Sequence, residues 1–151
     1  MEEPFYDFRI LNNALRFEFE SVGKRKLKKV ILFSDTTIPN LYQLSLADIN
    51  EDGSLDFLNV SNNNDRNTIL ATVFQTTSIF FDHYPEALVG FTGSTTERTR
   101  LYQITIAREL PKLSERFIIR GLKNDMLETF EKNRNYEGFV ISLKNTQLSK
   151  N

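Results

Sequence analysis

Leu15-Arg16-Phe17-Glu18-Phe19-Glu20-Ser21 sets Phe17 and Phe19 on one side and Arg16, Glu18 and Glu20 on the other. A period of two with one apolar side is the pattern of a half-buried strand. Val22-Gly23-Lys24 then reads as a turn, and Leu27–Phe33 (LKKVILF) as a second strand. Leu41–Leu46 alternates again and gives a third, followed by a loop from Asp48 to Asp56. The fold therefore starts as a sheet.

The pattern changes at Thr68. Ile69, Leu70, Val73, Phe74, Thr77, Phe80, Phe81 and Tyr84 recur near 3.6-residue spacing, which predicts a helix over Thr68–Tyr84. Asp65 stands where a cap or a dipole-complementing anion belongs, and Pro85 stops the helix. Thr68, Thr72, Thr76 and Thr77 lower its intrinsic propensity, so packing has to hold it. Leu88–Phe91 is a short strand running into Gly93. Ser94 with Glu97 three residues on is a capping box, so a second helix is expected from Thr95 to Leu110, ended by Pro111. Tyr102-Gln103-Ile104-Thr105-Ile106 fits helix and strand alike. Phe117–Arg120 and Phe139–Leu143 close as strands, with Met126–Phe130 open between the two states. The expectation is an α+β fold: a mixed or largely antiparallel sheet with two main helices on one side. It is expected to form one domain over residues 3–144, with a frayed tail from Asn145 to Asn151.

Composition narrows the function classes. A chain of 151 residues with 40% hydrophobic residues can bury a core, and its 13 Phe and 5 Tyr supply much of it. Nineteen Lys+Arg against 20 Asp+Glu leave a formal net charge of −1, so global charge does not drive nucleic-acid binding; a local basic patch still can. With no cysteine there is no disulfide, thiolate metal site or thiol catalysis. The acidic start MEEPFYDFRI lacks a signal core and no window approaches 18 apolar residues, so a cytoplasmic protein without a membrane partner is expected.

Four segments carry candidate chemistry. Asp48-Ile49-Asn50-Glu51-Asp52-Gly53-Ser54-Leu55-Asp56 puts Asp48, Asn50, Asp52 and Asp56 at calcium-loop positions 1, 3, 5 and 9. The twelfth position is Asn59 instead of a bidentate Glu, and the flanks read as strands. An exposed acidic turn is therefore the favoured reading, with calcium as the alternative and otherwise no cofactor. Ser61-Asn62-Asn63-Asn64-Asp65 reads as an elaborate helix start, or as a rim in which Asn62, Asn63 and Asp65 meet a ligand. Gly93-Ser94-Thr95-Thr96-Glu97-Arg98-Thr99-Arg100-Leu101-Tyr102 sets free amides and a positive helix end beside cations. Ser94, Thr95, Arg98, Arg100 and Tyr102 would then bind phosphate or carboxylate, though the spacing is not a P-loop. The basic run Lys24, Arg25, Lys26, Lys28 and Lys29 reads first as a solvated face, and second as a phosphate strip. His83, the only histidine, sits where a cation meets the negative end of the first helix.

The chain resembles a bacterial family of unknown function, found mainly in Bacteroidetes. The similarity runs from Phe19 to Tyr136. Its marks are Phe19-Glu20-Ser21-Val22-Gly23, the Asp48–Asp56 loop, the SNNxD motif at Ser61–Asp65 and Leu70-Ala71-Thr72-Val73. The GSTxxRTRLY motif at Gly93–Tyr102 and Asn135-Tyr136-Glu137 complete them. The family pattern often has Gly before the loop's first Asp and an Asp after Asp56; here Ala47 and Phe57 stand there. The resemblance implies a small bacterial domain and transfers no activity.

The leading expectation is a small binding or interaction protein with a phosphate or nucleic-acid site at a helix start, where Asn62–Asp65 and Ser94–Arg100 meet. Its partner is a protein, a second copy, a nucleic acid or a nucleotide, as in a toxin–antitoxin or phage-defence pair. The alternative is a metal-independent nuclease or phosphotransferase using Arg98 and Arg100 on phosphate, with Asp65, His83 or Tyr102 for proton transfer. A calcium-stabilised structural module is the third class.

Overall fold

The computed structural model describes residues 4–57, 63–93 and 95–144. Among these, nine strands form one mostly antiparallel, mixed sheet, and two helices complete an α+β fold. The strand order is β1-β2-β3-β4-β6-β9-β7-β8, with β5 added on β4. No helix of the described residues is long and apolar enough to cross a membrane. The chain clusters into two compact units.

The first unit comprises the described residues of Met1–Ser34 and Leu44–Tyr84. Strands β1 (Phe8–Leu11), β2 (Arg16–Val22) and β3 (Lys26–Asp35) form an antiparallel meander, pairing Phe8 with Phe19 and Phe17 with Ile31. Strand β4 (Leu41–Ile49) takes the two-residue β5 (Leu55–Asp56), pairing Asp48 with Asp56. The acidic stretch expected as a loop from Asp48 thus begins inside a strand. β1 is not expected from the sequence, because FRIL lacks alternation. It forms because Asn12, Asn13 and Ala14 all take left-handed φ angles of 54°, 57° and 66° and fold it back onto β2. Helix α1 (Arg66–His83) lays Leu70, Ala71, Val73, Phe80 and Phe81 into the core. Phe80 stacks on Phe33 at 4.3 Å, and Phe33 meets Phe17 edge-on at 5.9 Å. Three of its threonines fit because their hydroxyls are satisfied within the helix. Thr72 donates to the Thr68 carbonyl, and Thr76 and Thr77 both donate to that of Val73. Their methyls then pack as apolar groups.

The second unit comprises Asp35–Gln43 and the described residues from Pro85 on. Leu41–Gln43 pairs in parallel with β6 (Leu88–Phe91). β9 (Gly138–Leu143) lies antiparallel between β6 and β7 (Phe117–Lys123), and β7 turns into β8 (Met126–Thr129). Asn124 and Asp125, with φ of 52° and 62°, make that two-residue turn in the left-handed form a hairpin prefers. Met126–Phe130 is thereby strand up to Thr129. Helix α2 (Thr96–Leu113) settles the ambiguous Tyr102–Ile106 stretch as helix. Thr99, Ile106 and Leu113 are buried at seven-residue spacing along it. The helix runs past Pro111 instead of stopping there. Proline so near the end removes one bond, and the extra turn buries Leu113 while Ser114 donates to the Leu110 carbonyl at 2.9 Å. Phe91, Phe130, Tyr136 and Phe139 form the aromatic core. Tyr136 lies over Gly121, where an added Cβ would come within 2.2 Å of its ring. The tail from Asn145 lies outside the described residues.

Candidate functional site

The start of α1 is built around Asn63, which is 2% exposed. Its Oδ1 accepts the Arg25 amide at 2.8 Å, while its Nδ2 donates to the Arg25 carbonyl at 2.7 Å and to Ser21 Oγ at 2.9 Å. Its own carbonyl accepts the Lys24 amide at 3.2 Å. One buried side chain thus grips the turn between β2 and β3. The approach is close, since a Cβ on Gly23 would fall 1.6 Å from that carbonyl oxygen. This is why the turn needs glycine there. Asp65 is the N-cap residue, yet its side chain makes no cap bond. Its carboxylate instead accepts the Tyr6 and Ser21 hydroxyls, each at 2.5 Å. The expected cap is therefore a tether. Tyr6 Oη also accepts the Val22 amide at 3.0 Å.

The clamp fixes the hairpin tip. Lys24, Arg25, Lys26 and Lys28 are exposed on it, and Arg66 is exposed in the first turn of α1, which carries no acidic residue. Lys29 is a correction to the solvated basic face. It shares the inward side with Phe19 and Ile31 and is buried with Asp48, Nζ to Oδ1 at 2.5 Å, their side chains 5% and 10% exposed.

The start of α2 is arranged differently. Ser94 and Asn62 lie outside the described residues. Thr95, not Ser94, is the cap, accepting the Arg98 amide at 3.2 Å. Thr99 Oγ1 accepts the Gly93 amide at 3.0 Å and donates to the Thr95 carbonyl at 3.1 Å. Two amides counted as free for an anion are thus bonded within the chain. Arg100 is exposed, and Arg98 lies near Tyr102, whose ring meets Phe91 edge-on at 5.6 Å. Asn63 and Asp65 belong to the first unit, and Thr95, Arg98, Arg100 and Tyr102 to the second.

The acidic loop is a tight turn. Gly53, with φ of 87°, donates to the Asn50 carbonyl, and Asp52 Oδ1 accepts both the amide and the hydroxyl of Ser54. These two bonds hold the exposed Asp52 carboxyl below the usual carboxylate range. No group of three His, Asp or Glu side chains gathers for a metal among the described residues. Asn59 falls outside them. His83 is exposed in the last turn of α1, its Nδ1 at 3.1 Å from the Ile79 carbonyl.

The chain belongs to the DUF6934 family. The model of this family of unknown function matches residues 2–144. That span of the DUF6934 match contains the Asn63 clamp, the basic turn and the start of α2 alike. No curated protein and no solved structure matches the chain.

In this DUF6934 chain, sequence reasoning missed Tyr6, Ser21 and the inward Lys29. Lys29 had a signal, since it stands two residues from Leu27 and from Ile31 in a period-two strand. Burial raises the phenol pKa of Tyr6, Tyr102 and Tyr136; the bond to Asp65 adds to it for Tyr6, and Arg98 opposes it for Tyr102. Unfolded phenols ionise near pH 10. Their folded values are raised, so this contribution to stability is complete below about pH 10 and is lost as pH climbs through the folded values. Melting temperature is expected to fall from pH 10 to 11.5, with tyrosinate absorbance at 295 nm rising alongside unfolding. A flat profile there would contradict the buried phenols.

Proposed function

We propose that this chain is a small binding protein whose site is the basic tip between β2 and β3 at the start of α1, with nucleic-acid or nucleotide phosphates as ligand. The observation that carries the reading is the Asn63 clamp, which holds four exposed cations, Lys24, Arg25, Lys26 and Lys28, on a fixed backbone. A held backbone lowers the ordering cost of binding, and clustered cations release counterions from a phosphate chain. The positive end of α1 adds to the attraction. The bonded amides at the start of α2 are what favour α1 over Arg98 and Arg100. The reading extends to a cytoplasmic role beside a second gene product, as in a toxin–antitoxin or phage-defence pair, for which the absence of cysteine suits a reducing compartment.

The test is fluorescence anisotropy with a labelled single-stranded RNA. Three or four neutralised phosphates should give a log–log salt slope of about −2 to −3, or roughly thirtyfold weaker binding between 50 and 200 mM salt. Lys24→Gln with Lys26→Gln and Lys28→Gln should weaken binding at least tenfold and leave the melting temperature within about 2 °C of the parent. Equal binding by that variant would reject the site. A loss confined to Arg98→Ala plus Arg100→Ala would move it to the start of α2.

A further inference from the structure

β1 ends the sheet: it pairs with β2 on one side, and no other described strand pairs with it. An edge of this kind offers backbone N–H and C=O groups to another chain, and proteins commonly block it with a charge. Arg9, whose side chain is 75% exposed, has the look of such a block. Its surroundings say otherwise. Asp7 is exposed two residues earlier and makes no ion pair among the described residues. The alternation of β1 continues back through it, because Tyr6 stacks on Phe19, the residue that Phe8 faces on β2. Asp7 and Arg9 therefore share one face, and Tyr6, Phe8 and Ile10 the other. Phe5 and Ile10 are 46% and 49% exposed at the same edge, large apolar groups left to water.

Two copies that join antiparallel, edge to edge, are related by a two-fold axis normal to the sheet. Residues opposite each other lie on one face, so a single residue must stand opposite its own copy. The choices are few. Centred on Asp7 or on Arg9, the pairing sets like charges directly against each other. Centred on Ile10 or Leu11, it runs into the left-handed backbone of Asn12–Ala14. Centred on Phe8, it sets Phe8 against Phe8, Tyr6 against Ile10, and Asp7 against Arg9 twice over. Arg9 would then stand between Glu18 on its own β2, 3.9 Å away, and Asp7 of the second copy. Aromatic, apolar and opposite-charge pairs across strands are those that stabilise a sheet. The opposite edge has no such match, since the only charge on β8 is Glu128, which Arg134 already holds at 2.5 Å. We infer that the β1 edge is a self-association surface: two copies of this chain join β1 to β1 in antiparallel register about Phe8 and continue the sheet across the two-fold axis. The paired segment is short, so the dimer is weak and forms with rising concentration.

The experiment is sedimentation velocity of the full chain from about 5 μM to about 500 μM, a range that spans weak self-association. A shift from monomer to dimer is expected. Asp7→Arg sets like charges against each other twice and should stay monomeric throughout, with the melting temperature of dilute protein close to the parent's, because Asp7 holds no partner within its own chain. Arg9→Asp should stay monomeric for the mirror reason. An equimolar mixture of the two variants pairs opposite charges at both places and should dimerise again. Three results would overturn the proposal. They are a parent that is monomeric at the highest concentration, a dimer that Asp7→Arg leaves intact, or a mixture of the two variants that stays monomeric.

Discussion

Asn63→Ala is expected to destabilise the protein by about 3 kcal/mol, because several buried polar groups lose their partners at once and each costs roughly 1–3 kcal/mol unpaired. In a chain of this length that corresponds to a fall in melting temperature of about 6–12 °C. The groups are the Arg25 amide, the Arg25 carbonyl and Ser21 Oγ, all bonded to the Asn63 side chain. Asn63→Asp is the sharper variant. It keeps the acceptor for the Arg25 amide but sets a carboxylate oxygen against the Arg25 carbonyl in place of a donor. It should therefore be no better than alanine. Thermal melts by circular dichroism read both. A change under 2 °C in Asn63→Ala would show that the turn stands without the clamp. The same variant should weaken RNA binding beyond its loss of stability, since the cations remain but their backbone is no longer held.

The second large effect is expected at Lys29. Lys29→Met leaves Asp48 buried without its cation, and breaking a buried pair in this way costs about 3–5 kcal/mol. The double variant Lys29→Met with Asp48→Leu should return to wild-type stability or exceed it, because two desolvated charges give way to apolar contact. Chemical denaturation of the two single variants and the double variant gives the coupling directly. Wild-type stability in Lys29→Met would mean that the pair is not sequestered from water. The ion pair also bears on the acidic turn. Asp48 holds an ammonium on its Oδ1, so the first position of the calcium-like spacing already faces a cation from within the chain.

Elements with strong periodicity were legible from the residues. The alternation in Leu15–Ser21, the helical recurrence before Pro85 and the run Leu88–Phe91 all correspond to elements within two residues at each end. Pro111 misled because the rule against proline in helices weakens near their ends, where burial of Leu113 outweighs one lost bond. β1 was hidden because its partner, not its own pattern, makes it a strand. The candidate site was legible only in part. The run Ser61–Asp65 was marked as polar and structural, but a cap looks three residues ahead, whereas Asn63 reaches back to Ser21 and Arg25. Separations of about forty residues leave no local trace. Tyr6 and Ser21, both bound to Asp65, were invisible for the same reason.

Asn63 holds the tip through peptide groups. Its amide meets the N–H and C=O of Arg25 much as a neighbouring strand would, and its carbonyl takes the N–H of Lys24. No side chain from Lys24 to Lys28 takes part in those bonds. The loop's shape and its chemistry are therefore separable at Lys24 and Lys26, whose exposed side chains can be exchanged without altering the path of the chain. Only Gly23 is bound by the close approach. A surface of that kind lets a lineage change what it binds while keeping the scaffold, so relatives of one fold can diverge in partner by mutation at a handful of exposed positions.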